Sequence, residues 1–133
     1  MSALLIFTLA IVYCGLLLYS YQALANGARL GARYAAVRGS ACSTSGYVIG
    51  GCPATSDSIQ TFVRGQTPLL NSASITVTTT WSSSPTGSCS AAGTNAPHNI
   101  VCVSVSYPFG FSLPLLQSSS IPLASTSQMT IAQ

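Results

Sequence analysis

Five cysteines are the residues of this chain most able to do chemistry, and their placement divides them one against four. Cys14 lies in an uninterrupted apolar run, Ala3 to Leu18 (ALLIFTLAIVYCGLLL), where a thiol serves as a small hydrophobe. Cys42, Cys52, Cys89 and Cys102 fall in the polar remainder, and an even number of thiols in a small exported domain reads as disulfides. Of the three possible pairings, Cys42 with Cys52 and Cys89 with Cys102 each close a short loop. Those two bonds are expected, with Cys14 free. Zinc is the competing chemistry, but the spacings are not those of zinc sites, and His98 is the single histidine available to complete a ligand set.

Catalysis needs convergent titratable groups. The chain offers Asp57, no glutamate, no lysine and His98. Serines abound, but Asp57 sits at an expected helix start and His98 follows Ala96-Pro97 in a polar loop, so their ordinary readings are a helix cap and a surface side chain. There is no nucleophile elbow, phosphate loop or carboxylate pair. The aromatics on or near the apolar run (Phe7, Tyr13, Tyr19, Tyr21, Tyr34) read as core or interface rather than as a charge-transport path. No enzyme activity, metal or cofactor is expected.

These residues hang on one element. The apolar run continues without a proline into YSYQALANGARLGARYAAVRG, so one spine helix over residues 1–38 is expected, ~57 Å long at ~1.5 Å per residue. A hydrocarbon core is only ~30 Å thick. The first part therefore suits a membrane or a filament core, and the second must serve a domain outside it. Small residues recur every fourth position, Ala23, Gly27, Gly31 and Ala35 on one line and Ala28, Ala32 and Ala36 on the next. Such ridges admit another backbone closely. Helix-interior glycines each cost about 1 kcal/mol against alanine, which close packing would offset. The partner of the first ridge is either a neighbouring spine or the chain's own sheet. Leu30, Tyr34 and Val37 form a face suited to lying on a sheet, and Gln22, Asn26, Arg29 and Arg33 a polar stripe.

The segment Tyr19 to Val37, YSYQALANGARLGARYAAV, resembles the spine signature of TadE-like pseudopilins, a family of the type IV pilin-like proteins of tight-adherence systems. The likeness is close across that segment, above all in its small-small-Arg-x-Gly-Ala-Arg-Tyr-Ala core, and loose in the layout beyond it. It implies a pilin-like subunit held in the inner membrane before assembly, cut by a prepilin peptidase, and handled by a pilus assembly machinery. Such a subunit polymerises through its spine helices into a homo-oligomeric surface filament, for adhesion. The alternative within reach is a membrane-tethered minor pseudopilin, or a binding module, that primes or tips another filament. The family usually carries a glutamate near the mature N-terminus, whereas residues 1–28 here contain no acid. A leader already removed, a start upstream of Met1, or docking without the glutamate would each account for this.

Composition agrees with life among copies. Four arginines, Arg29, Arg33, Arg38 and Arg64, face one acid, for a net charge of +3. A freely soluble monomer relies on more charge to stay apart. No basic patch with interleaved aromatics exists, so nucleic acid is not expected as a partner. Arg29 and Arg33 lie where anionic headgroups could meet them, though capping carbonyls or a neighbour's carboxylate is the plainer role.

Beyond the spine, residues 39–133 should form one extracytoplasmic α+β head with Ser/Gly-rich loops. Arg38-Gly39 closes the helix. Asp57, with Gln60 three positions on, reads as the capping box of a short helix whose apolar face is Ile59, Phe62 and Val63. Strands are expected at Ser74–Trp81, with Ile75, Val77, Thr79 and Trp81 on one side, and at Ile100–Tyr107, with Val101, Val103, Val105 and Tyr107 inward and Cys102 on the solvent side. The segment Tyr107 to Phe111 should then break the ladder, leaving Phe109, Phe111, Leu113, Leu115 and Leu116 in an apolar loop. Ile121 to Ile131 supplies the last strand. The expected result is an α+β fold, a long apolar spine helix plus a small antiparallel sheet. Ser82–Ser84 and Ser118–Ser120 are clusters that could bear O-linked sugar.

Overall fold

A computed structural model describes residues 2–44, 50–68, 70–83, 89, 92–111 and 118–132. Helix α1 runs from Ser2 to Val37. It stops where Gly39 turns extended (φ −68°, ψ 178°) into a short 3₁₀ turn over Ser40–Ser43. A second helix, α2, spans Ser56–Gly65. Three strands follow, β1 (Thr76–Ser82), β2 (Ile100–Phe111) and β3 (Ser119–Thr130), in one antiparallel sheet of order β1-β2-β3. The α+β architecture expected from the sequence is the one observed.

The start of α2 is not where Asp57 and Gln60 would put it. Thr55 is the N-cap: its hydroxyl accepts from the Ser58 backbone N–H, and Ser58 Oγ accepts from the Thr55 N–H. Asp57 instead sits in the first turn, where a carboxylate favours the helix dipole. Serine at the third helical position closes a box usually closed by Glu or Gln, which is why the pattern pointed two residues too far along.

The larger correction concerns Tyr107 to Phe111. β2 does not break there but runs on to Phe111, paired throughout with β3, and Phe109 and Phe111 belong to the strand. Leu113, Leu115 and Leu116 lie outside the described residues. Proline survives inside β2 for a reason of phase. Ile131 N–H donates to the Asn99 carbonyl at 2.8 Å, which makes the odd-numbered residues of β2 the ones that exchange hydrogen bonds with β3. Pro108 and Pro122 lie directly opposite each other on the other phase. Their nitrogens face away from the pair, so neither removes a bond between β2 and β3. β1 has already ended, its last partner on β2 being Ser106. Pro108 is therefore locally at an edge, where proline is tolerated.

The two helices cover one face of the sheet, α1 lying on β2 and β3 and α2 on β1. The lengths match. Ala132 N–H donates to the Ala36 carbonyl, and at the far end Tyr13 shares a recess with Phe111 and Ser119. From Tyr13 to Ala36 is ~35 Å of helix, and the twelve residues of β2 span ~40 Å of strand. The hairpin thus lies along α1 for almost the strand's whole length. Val101, Val103, Val105 and Phe109 point inward to Leu24, Ala28, Ala32, Ala35 and Ala36. Alanines on α1 let the helix axis come close to a sheet whose own inward residues are β-branched.

The face expected to carry the sheet is not the one that does. Val37 is exposed and Leu30 only half-buried, while Tyr34 stacks on Phe62 of α2 with ring centroids 4.5 Å apart. Cys102 points to the outer face as the alternation required, but it is buried rather than solvent-facing. Gly93 N–H donates to the Trp81 carbonyl at that end of β1, and Cys102 itself is bonded to Cys89.

Candidate assembly surface on the spine helix

Each half of α1 has its own environment, and the sequence sets the border. From Ser20 onward the buried positions are Ser20, Leu24, Gly27, Ala28, Gly31, Ala32, Ala35 and Ala36, a stripe with the i, i+3, i+4 spacing of one helix face. Gln22, Asn26, Arg29 and Arg33 are exposed on the other side. Before Ser20 the stripe narrows to Tyr13 and Leu17, which pack against the core only in part. Leu4, Leu5, Ile6, Phe7, Ile11, Val12, Leu16 and Leu18 are all exposed, Leu4 at 69 % and Phe7 at 68 %.

Uncovered apolar surface on this scale is a demand for a partner. Burying one Leu, Ile or Phe fully is worth about 1.5–3 kcal/mol, so covering these half-exposed side chains would contribute on the order of 10 kcal/mol. α1 is long and apolar enough to cross a membrane: its most apolar 18-residue stretch has mean hydropathy 2.2 and is 6 % buried. An apolar N-terminal helix that could anchor in a membrane, together with disulfides, points to a location outside the cytoplasm.

The small-residue ridge lies within the head. A Cβ at Gly31 would fall 2.7 Å from Val63 Cγ2, 3.2 Å from Val103 Cγ1 and 3.7 Å from Ile59 Cγ2. At Gly27 it would lie 3.4 Å from Val63 Cγ1 and 3.5 Å from Thr67 Cγ2. Ala35 is fully buried and Ala23 half-buried on the same line. The spacing left open a neighbouring spine or the chain's own sheet; the two glycines meet chiefly α2 instead, with Val103 the one sheet residue against Gly31. Glycine at 31 lets α1 meet three β-branched side chains at once.

The two head disulfides fasten the loops at the far end of α1. Cys42 bonds Cys52 and Cys89 bonds Cys102, with Cα separations of 6.0 and 5.8 Å, and Cys14 is free and exposed on the apolar half of α1. Around them Asn95 ties three segments. Its side-chain amide donates to the Ala54 carbonyl at 3.1 Å and the Arg38 carbonyl at 3.4 Å, and its backbone carbonyl accepts from Ser40 N–H. Arg38 lies over the Tyr34 ring at 4.0 Å and donates to the Gly50 carbonyl. Sequence reading missed this Arg38–Tyr34–Phe62 stack and the Asn95 junction. The i, i+4 pairing of Tyr34 with Arg38 was its only local signal.

Asp57 is exposed on the first turn of α2, and His98 is exposed in a turn at the opposite end of the sheet from Phe111. Among the described residues no three His, Cys, Asp or Glu side chains come together. Comparison of the chain with protein-family models, with curated proteins and with solved structures finds no match.

Proposed function

We propose that this chain is a structural subunit of a surface filament, a pilin-like protein of the tight-adherence kind. In this reading α1 holds the subunit in the inner membrane until an assembly machinery and a prepilin peptidase deliver it to the filament. There the apolar half of α1 exchanges lipid for the α1 helices of other copies. One observation carries the reading: a single continuous helix is exposed and apolar over Leu4 to Leu18, yet built into a disulfide-fastened head from Ser20 on. A helix serving only the head would begin near Ser20. One serving only as an anchor would have no need of the Gly31 contact with α2. The likeness of Tyr19 to Val37 to the TadE-like spine supports the same reading from the sequence side.

A second reading has its own observation. The outer face of the sheet is hydroxyl-rich and uncharged, with Thr76, Thr78 and Thr126 exposed on it and Thr126 donating to Ser104. A membrane-tethered minor subunit or binding module would present that face without polymerising. Mechanical shearing of cells separates the two. The filament reading expects fibres in the supernatant that label with antibody to this head along their length. Label confined to fibre tips, or to the membrane pellet, would favour the second.

A further inference from the structure

β2 and β3 outrun the rest of the sheet. Beyond the last β1 partner at Ser106, residues 107–111 and 119–123 form a two-stranded ribbon whose end lies beside Tyr13 of α1. Tyr13, Gly110, Phe111 and Ser118 to Ser120 line an open recess of about 460 Å³ between ribbon and helix. From Tyr107 to Leu123 the sequence holds no charged residue.

We propose that before assembly this ribbon end dips into the bilayer beside α1, with lipid acyl chains covering it and the recess. The proposal rests on the reading of α1 as a membrane anchor, and three observations carry it. The first is depth. Gln22 is the first exposed amide of α1, with Tyr19 and Tyr21 beside it as interfacial aromatics. Tyr13 lies nine residues earlier, about 13 Å along the axis. The polar zone on each side of a hydrocarbon core is only about 5–8 Å thick, so the ribbon end passes through it. The second is the side chains: Ile121 is exposed and Phe111 half-exposed on the helix-facing side, with Pro108, Gly110 and Pro122 outward. The third is the backbone. A strand edge in lipid leaves N–H groups without partners, because hydrocarbon offers no acceptor. On this ribbon the outward nitrogens belong to residues 108, 110, 120 and 122, and the two opposed prolines, Pro108 and Pro122, have no N–H to leave unpaired.

The test uses the full chain in phosphatidylcholine–phosphatidylglycerol vesicles whose acyl chains carry bromine, which quenches tryptophan on contact. In a Trp81→Phe background, Phe111→Trp and Ile121→Trp place the probe on the ribbon, and Phe7→Trp places it on the anchor. The native Trp81 serves as the head control. The proposal predicts quenching of both ribbon probes by lipid bromine, comparable to that at Phe7→Trp, with little at Trp81. Quenching at Phe7→Trp alone, with the ribbon probes open to aqueous iodide, overturns the proposal and leaves the anchor standing. No quenching at Phe7→Trp overturns both. Ribbon probes shielded from bromine and iodide alike, increasingly so at higher protein-to-lipid ratio, would identify a second copy as the occupant and overturn the lipid proposal.

Discussion

Gly31 of α1 lies so close to Val63 of α2 that a Cβ there would approach Val63 Cγ2 to 2.7 Å, while four residues earlier Gly27 leaves 3.4 Å to the same side chain. The two glycines therefore respond oppositely to alanine. Val63 and Val103 are fully buried and cannot swing away, so Gly31→Ala forces the helices apart, at about 1–3 kcal/mol. The gain in helix propensity is only about 1 kcal/mol, leaving a net loss of roughly 1 kcal/mol. Gly27→Ala meets ordinary van der Waals contact and should gain up to about 1 kcal/mol. Thermal or denaturant unfolding of the two variants checks the signs. A stabilised Gly31→Ala would show that α1 and α2 do not meet there.

The cap of α2 gives a second prediction. Thr55→Ala should cost about 1 kcal/mol, because it strips the acceptor from the Ser58 N–H. Gln60→Ala should change little and Asp57→Asn only a few tenths of a kcal/mol. Equal losses at Thr55 and Gln60 in unfolding titrations would contradict this.

Much of this architecture was legible in the chain because periodicity and burial speak together. The alternation of Val101, Val103 and Val105 gave the inward face of β2, and the absence of proline before Gly39 gave the length of α1. What remained hidden depended on partners distant in sequence. Pro108 read as a strand breaker, and only its apposition to Pro122 reveals that neither removes a bond between β2 and β3. The ridge at Gly27 and Gly31 announced a close contact, but spacing within one helix does not name what sits opposite. Cys102 had the right parity, yet it is buried on the outer face, where it bonds Cys89, and alternation along one strand does not tell an open outer face from a covered one.

The disulfides predict a simple thiol count. Alkylation of the unreduced, denatured protein should add one label, at Cys14, and non-reducing peptide maps should join Cys42 to Cys52 and Cys89 to Cys102. Replacing both Cys89 and Cys102 by alanine should cost about 3 kcal/mol on the chain-entropy account. Crossed pairs, or free head thiols, would contradict it.

The turn Ala96-Pro97-His98-Asn99 closes with Asn99 N–H on the Ala96 carbonyl, and holds His98 at φ 70°. That is the third position of a type II turn, where glycine is favoured. A left-handed conformation costs a residue with a Cβ roughly 1–2 kcal/mol, partly offset by the flexibility glycine adds to the unfolded chain. His98→Gly should therefore raise stability, by up to about 1 kcal/mol. A lower melting temperature would mean that the imidazole makes a contact stronger than the strain.

In the proposed filament the apolar half of α1 is covered in the working protein, and by other copies once the membrane is left behind. Cys14 reports on it without mutation, being exposed in the single chain. The direct measurement is its reaction with a water-soluble maleimide in material sheared from cells and freed of lipid. Cys14 should be protected in the sheared fibres and become reactive only when they are dissociated. Sheared protein whose Cys14 reacts as fast as in the dissociated chain would contradict it.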